Sequence, residues 1–146
     1  MSEREALVVT RVYDATPEQI WEVWTEPAHL HKFFAPAGSS VPLETVTMDV
    51  RVGGEFSLTM INGVNGEEYP MQAEYTVLDP PTKLGFKTAG GIDGTIELED
   101  LGSGKTLLTW TTLVDFDGND EFRRGATIGT HSAADNLGEH LAAVTA

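Results

Sequence analysis

The polar residues with the clearest capacity for chemistry are a histidine and an aspartate four positions apart. His131 and Asp135 fall in a stretch with helical periodicity, and residues i and i+4 lie on one face of a helix. An aspartate that orients an imidazole can make it a general base. The same spacing also suits an exposed pair that only stabilises the helix, and neither a nucleophile nor a third ligand accompanies it. We therefore expect the stabilising pair and assign no catalytic residue.

Arg51 is the third polar candidate for contact with a ligand. It follows Asp49 by two positions and precedes Gly53-Gly54, and glycines between two strands permit a bulge or a tight turn with positive φ. From such a turn Arg51 could reach a carboxylate or an enolate oxygen of a ligand. It could instead pair with Asp49 or Glu55 and hold the hairpin together, which is the arrangement we expect.

Other reactive groups are poorly placed for catalysis or for cofactors. His29 and His31 are two apart and do not share a helical face, so the sequence predicts no metal site. The chain has no cysteine and no Gly-x-Ser-x-Gly motif. The run from Gly102 to Lys105 indicates a hairpin turn and not a phosphate loop. We expect no cofactor, and enzymatic activity stays undecided, with its absence favoured.

Soft apolar side chains are a better sign of a binding site than any of these polar groups. Methionine and aromatic residues suit an apolar pocket with a few polar handles, although they suit an ordinary core equally well. Ala73 belongs with them because a small residue between Met71 and Tyr75 could leave a gap. The predicted ligand-binding residues are Phe34, Met48, Phe56, Met60, Ala73, Tyr75, Phe86, Trp110 and Thr130.

Composition excludes several classes of partner. The 146 residues carry a formal net charge of −14 with only nine lysines and arginines, and such a surface repels nucleic acid and anionic membranes. No apolar run approaches the roughly 20 residues of a membrane span, and charged residues occupy the place of a signal peptide. We expect a cytoplasmic protein with one domain over residues 1–146.

The first forty residues predict one strand and two short helices. Residues 6–13 are β-branched and aromatic with polar insertions, as in a strand. Thr16 can cap a helix that begins at Pro17, because Gln19 falls three residues later, as a capping box requires. Pro27 opens a second short helix, which we expect to end near Pro36 and Gly38.

The remainder predicts a sheet and a final helix. From residue 41 to residue 114 apolar residues alternate with polar ones, including a predicted strand through Val46, Met48, Val50 and Val52. Turn signals at Asn62-Gly63 and later glycines join these runs into an antiparallel meander. Apolar residues at helical spacing predict a helix over roughly residues 121–143. Such a twisted sheet should curl around this helix, burying Trp21, Leu137 and Leu141.

Short strings along the chain resemble the heat-shock-protein-90 ATPase activator-like family, within the SRPBCC superfamily that includes START domains, polyketide cyclases and birch-pollen-allergen-like proteins. They occur in family order from about residue 8 to residue 142. The resemblance implies the α+β helix-grip fold, a curved antiparallel sheet of about six or seven strands around a long C-terminal helix. The strings are Arg11-Val12-Tyr13-Asp14-Ala15, Pro17, Trp21, Trp24-Thr25-Glu26-Pro27, Phe33-Phe34-Ala35-Pro36, Asp49 to Gly54, Asp79-Pro80-Pro81 with Leu84, and Asp135 to Leu141.

The resemblance implies a cavity between the sheet and the last helix. Our leading hypothesis is therefore a binder of a small apolar or aromatic ligand. A second hypothesis is a protein-interaction domain like the chaperone-ATPase activators, with a chaperone or a second copy of the chain as partner. A third is a cyclase- or aromatase-like enzyme, for which Arg51, Tyr75, His131 and Asp135 would be the first residues to test.

Overall fold

The protein is described from a computed structural model, which covers residues 4–35 and 38–145. Within these residues, one strand and two short helices come first, followed by seven further strands and one long helix, and a 3-10 turn at Leu43–Thr45 separates the second strand from the third. Pro36, the predicted end of the second helix, lies outside the described residues. The elements are β1 (Glu5–Tyr13), α1 (Pro17–Thr25), α2 (Pro27–Phe33), β2 (Ser39–Ser40), β3 (Thr47–Met48), β4 (Glu55–Asn62), β5 (Glu68–Asp79), β6 (Lys83–Thr88), β7 (Asp93–Gly102), β8 (Lys105–Val114) and α3 (Asp120–Thr145).

Helix α1 begins where the capping signals predict. The Thr16 hydroxyl accepts from the Gln19 backbone N–H at 3.2 Å, and the Gln19 side chain accepts from the Thr16 N–H at 2.8 Å. The helix buries Ile20, Val23 and Trp24. The expectation for Trp21 was wrong in part, because this residue lies beside the buried stripe of a nine-residue helix and is only partly buried.

The strands form one antiparallel sheet in the order β1-β8-β7-β6-β5-β4-β2, with β3 also paired to β4. The predicted turns join neighbours in this order: residues 63–67 connect β4 to β5, residues 89–92 connect β6 to β7, and residues 103–104 connect β7 to β8. Twist accumulates across the sheet and curls it into a half-barrel. The predicted helix-grip architecture is confirmed.

The predicted strand from Val46 to Val52 was mostly wrong. Only Thr47–Met48 pairs with β4, and Val52 is 65% exposed. The backbone folds on itself here: the Arg51 N–H donates to the Asp49 carbonyl at 2.8 Å, and Gly53 has φ of +83°. A Cβ at Gly54 would lie 2.0 Å from the Asp49 carbonyl oxygen. The glycine pair therefore makes a compact loop. Of the two possibilities predicted for Gly53-Gly54, a bulge or a tight turn, this loop matches the tight turn.

Helix α3 packs tightly on the sheet only through its second half. Ala133, Ala134, Leu137 and Leu141 are buried, whereas none of residues 117–132 is. The Tyr13 hydroxyl on β1 donates to the Ala134 carbonyl at 2.6 Å and fixes the buried half. The expected burial of Leu137 and Leu141 is confirmed. No helix among the described residues is both long enough and apolar enough to cross a membrane.

Candidate functional site

A cavity of about 780 Å³ lies between the sheet and the first half of α3. The helix contributes only small side chains to its wall, at Ala126, Gly129, Thr130 and Ala133. These positions recur at spacings of three and four residues and therefore share one helical face. Because that face carries no larger apolar side chain between residues 126 and 133, the space between helix and sheet stays unfilled there.

Three aromatic rings form the inner wall of the cavity. Phe34, at the end of α2, and Trp110, on β8, lie 6.1 Å apart between ring centroids, and Phe86 contributes a third ring from β6. Phe34 and Trp110 both pack edge-on against the buried Trp24, at 6.0 and 5.0 Å. This packing against the core holds the aromatic wall in place.

The outer wall comes from strands β4 and β5 and from one turn. Met60 on β4 is paired with Tyr69 on β5, and Met71 follows Tyr69 on the same face of its strand. Residues 88–92, at the turn between β6 and β7, close the other side, with Ile92 as their largest apolar side chain. The opening between these parts gives an organic molecule a path into the cavity.

Gly94 is a wall residue that the sequence analysis missed. It pairs with Phe86 across β6 and β7, and a Cβ at Gly94 would lie 2.5 Å from Phe86 Cζ. The absence of a side chain at Gly94 thus allows the ring to lie flat against the strand. A glycine inside a strand pattern is a signal for such close approach and could have identified this position.

A few hydroxyl groups interrupt the apolar wall. The Thr88 oxygen accepts from the Ile92 N–H at 3.1 Å, which leaves its own O–H to donate. The Thr130 hydroxyl donates to the Ala126 carbonyl at 2.8 Å, which leaves its oxygen to accept. The hydroxyls of Thr112 and Tyr69 complete the set, and the Tyr69 hydroxyl donates to Glu67 Oε2 at 2.5 Å. The wall can therefore satisfy a small number of polar atoms on a ligand.

The structure gathers part of the predicted ligand-binding set around this cavity. Phe34, Met60, Phe86, Trp110 and Thr130 line it. Because no ligand is present, their role in binding stays a prediction.

The remaining predicted residues lie outside the cavity wall. Phe56 and Tyr75 stack in the core with ring centroids 5.3 Å apart. Ala73 shares a face with Met71, as predicted, but is nearly buried between its strand partners Phe56 and Thr88. Met48 packs, partly buried, against the core. The register between neighbouring strands decides which of these side chains reach the cavity. The alternation of residues within one strand does not decide it.

The polar candidates also lie away from the cavity wall. The Arg51 Nε donates to Asp49 Oδ2 at 2.7 Å, and both side chains are largely exposed. His131 and Asp135 share a face of α3, where both bind Arg11 of β1: Arg11 Nη2 lies 3.0 Å from His131 Nδ1, and Arg11 Nε lies 3.2 Å from Asp135 Oδ1. Arg51 therefore pairs with Asp49, the arrangement we expected, whereas His131 and Asp135 link α3 to β1 through Arg11, which the expected helix-stabilising pair did not include.

A histidine contact between α2 and α3 was not anticipated. His29 Nδ1 lies 2.9 Å from His140 Nε2, and His29 Nε2 lies 3.5 Å from Glu26 Oε2. Burial lowers the pKa of His140, and the charge of His29 lowers it further. Glu22, Glu26 and His29 have ligand atoms close enough to share a cation, but the two carboxylates are exposed and the cluster alone establishes no metal site.

Solved structures of similar shape come from several bacteria. A Nitrosomonas europaea protein superposes with a TM-score of 0.84 at 21% identity, covering 96% of each chain. A Chromobacterium violaceum protein superposes with a TM-score of 0.81 at 21% identity, and the alignment covers 92% of this chain and 96% of that protein. The AHSA1 protein of Silicibacter pomeroyi superposes with a TM-score of 0.80 at 23% identity, and the alignment covers 94% of this chain and 98% of that protein. At these identities the likeness establishes the fold alone.

Comparison of sequences assigns the family. A search of curated proteins finds no match. The family model described as activator of Hsp90 ATPase homolog 1-like protein matches residues 14–142, which is most of the chain. The match extends from the end of β1 to the buried half of α3 and agrees with the fold. The chain belongs to this activator of Hsp90 ATPase homolog 1-like family, within the SRPBCC superfamily.

Proposed function

We propose that the protein binds a small apolar or aromatic molecule in the cavity between the sheet and the first half of α3. The observation that carries the proposal is the apolar cavity of about 780 Å³ walled by Phe34, Phe86 and Trp110. Pockets for small organic ligands commonly measure roughly 300 to 1,000 Å³, with apolar walls and few polar groups. Both size and lining agree with this class of site.

The energetics favour binding of moderate strength. Apolar surface removed from water contributes about 25 cal/mol per Å², and the three rings offer flat surfaces for an aromatic ligand. Part of this gain is offset by the lost freedom of the ligand. We therefore expect dissociation constants in the micromolar range.

The lining supports binding without catalysis. In the described ranges, no carboxylate, imidazole, ammonium or guanidinium belongs to the cavity wall. General acid–base chemistry most often uses such a group within hydrogen-bond reach of the reacting atoms, and the one phenol on the described wall, that of Tyr69, donates to Glu67 instead. The candidates Arg51, His131 and Asp135 have partners elsewhere, so we assign them no catalytic role.

Titration with the uncharged dye Nile red tests the proposal. We expect a saturable rise in dye fluorescence with a micromolar dissociation constant, and displacement of the dye by small aromatic compounds. Absence of binding, both of the dye and of a varied panel of apolar compounds, would contradict the proposal. That result would favour the protein-interaction role that the family description suggests.

A further inference from the structure

The charge distribution around the cavity is unusual for so acidic a chain. The sequence carries 23 acidic and nine basic side chains, yet among the described residues none of them lines the cavity. The polar groups of the wall are instead the hydroxyls of Tyr69, Thr88, Thr112 and Thr130, and the Tyr69 hydroxyl donates to the exposed carboxylate of Glu67. An ion entering the cavity would therefore meet no opposite charge.

The nearest cation on this face of α3 is already engaged. Arg123 lies three residues before Ala126 and seven before Thr130, so it shares their face of the helix. Its Nη2 lies 2.6 Å from Glu5 Oε1, and its Nη1 lies 2.5 Å from Asp120 Oδ1. The guanidinium also lies 5.2 Å from the ring centroid of Phe116. Two carboxylates thus neutralise the charge that could attract an anion.

Arg124, the next residue, does not supply a cation at the cavity in place of Arg123. Arg124 is exposed, and it lies two residues from Ala126, a spacing that does not share a helical face. It therefore belongs to the side of α3 turned away from the cavity. No second cation on this helix is in a position to pair with a ligand in the cavity.

We infer that the cavity selects uncharged ligands and rejects ions of the same shape. The inference rests on the proposed function, because it concerns the ligand of that same cavity. Burying an ion without a partner is far more costly than burying a hydroxyl that finds a hydrogen bond. An anion is disfavoured further by the net charge of −14, and a buried ammonium lacks a carboxylate on the wall.

The polar groups on the wall narrow the ligand class. The Thr88 O–H can donate and the Thr130 oxygen can accept, and the Thr112 hydroxyl on the wall can do both. A hydroxyl or a keto oxygen on an aromatic framework matches these groups. The ligand class is therefore an uncharged aromatic or polycyclic compound with one or a few such oxygens.

Three naphthalene derivatives of nearly equal shape test the inference. Binding of 2-naphthalenemethanol, 2-naphthoate and 2-naphthylmethylammonium to the intact protein is measured at pH 7 by calorimetry. We expect the alcohol to bind, and each ion to bind more weakly by about tenfold or more. Added salt should screen the general repulsion of naphthoate but leave the desolvation cost of both ions.

The outcomes separate this inference from the proposed function. If none of the three compounds binds, the proposed function and the inference both fail. If either ion binds as tightly as the alcohol, the cavity still binds ligands but its selection of uncharged compounds is refuted.

A pair of variants places the selectivity in the wall. Thr112→Lys adds a cation at the cavity, and Thr10→Lys adds one at an exposed position of β1 outside the cavity. Only Thr112→Lys should bring naphthoate close to the affinity of the alcohol. An equal gain in both variants would trace the rejection to the net charge of the protein and overturn the argument from the wall.

Discussion

The ring of Phe86 occupies the space directly above Gly94, its partner on the neighbouring strand. A Cβ at Gly94 would lie 2.5 Å from Phe86 Cζ and 2.8 Å from Cε1, so only glycine allows the ring to lie there. Both residues line the cavity. The position of one aromatic wall therefore depends on the absence of a side chain across the strand pair.

Replacement of Gly94 should disturb both stability and binding. Gly94→Ala forces the Phe86 ring to move, and we expect the free energy of unfolding to fall by about 1 to 3 kcal/mol, the usual cost of overpacking. Gly125→Ala is the control, since its Cβ meets nothing within 4 Å and alanine favours the helix by roughly 0.5 to 1 kcal/mol. Urea melts measure the free energy of unfolding of both variants. Equal stability of the Gly94→Ala variant and the wild type would contradict the close contact between Phe86 and Gly94.

Removal of the hydroxyl should affect the free energy of unfolding differently at two buried tyrosines. The Tyr13 hydroxyl donates to the Ala134 carbonyl, whereas the Tyr75 hydroxyl is buried without a hydrogen-bond partner among the described residues. Burial raises the pKa of both groups. Tyr13→Phe should lower the free energy of unfolding by about 1 kcal/mol, and Tyr75→Phe should leave it unchanged or raise it. Thermal melts that rank the two variants the other way would refute this assignment.

The second half of α3 should behave as core. Leu137 is fully buried, so Leu137→Ala should lower the free energy of unfolding by about 2 to 5 kcal/mol through lost burial and a residual cavity. Ile128→Ala, at a position of the same helix that is 63% exposed, should change it by less than about 0.5 kcal/mol. Similar losses at both positions in denaturant melts would show that burial does not follow the two halves of the helix.

Local signals in the sequence predict the helices well. The capping box at Thr16 and Gln19 fixes the start of α1 through contacts within four residues, and helical spacing predicts α3 to within about two residues. The alternation through Val50 and Val52 failed because hydrogen bonds at Asp49 and the glycine pair turn the backbone instead. Local pattern is thus sufficient where the stabilising contacts are themselves local.

The cavity could be predicted only in part. Phe56 and Phe86 occupy equivalent places in their strand patterns, yet only Phe86 lines the cavity. The difference arises from long-range contacts: Phe56 stacks on Tyr75, while Phe86 lies beneath the first half of α3. The small residues Ala126 and Gly129 leave the cavity open. Whether a small residue leaves such a gap depends on the distance between helix and sheet, which the sequence pattern does not give.

The histidine contact predicts a pH dependence of stability. Burial and the nearby charges of His29, Lys32 and His31 lower the pKa of His140 in the folded protein, while Glu26 lies beside His29. The unfolded chain therefore takes up a proton at about pH 6.5 before the folded protein does. Stability from this group is present above that pH and is lost as the pH falls through it.

A neutral variant isolates this effect from the many carboxylates. His140→Gln removes the titrating group, so we expect the wild type to lose stability relative to the variant between about pH 7 and pH 5.5. Urea melts across this range measure the difference. A difference that does not vary with pH, or that grows in favour of the wild type on acidification, would contradict the predicted direction.

Filling the cavity from α3 tests the central claim most directly. Ala126 lines the cavity, whereas Ile128 is 63% exposed and lies outside its wall. Ala126→Trp and Ile128→Trp add an indole to the same helix, and circular dichroism checks that both remain folded. In Nile red titrations we expect Ile128→Trp to bind as the wild type does and Ala126→Trp to lose at least about tenfold in affinity. Equal binding by the wild type and a folded Ala126→Trp variant would show that the ligand does not occupy this cavity.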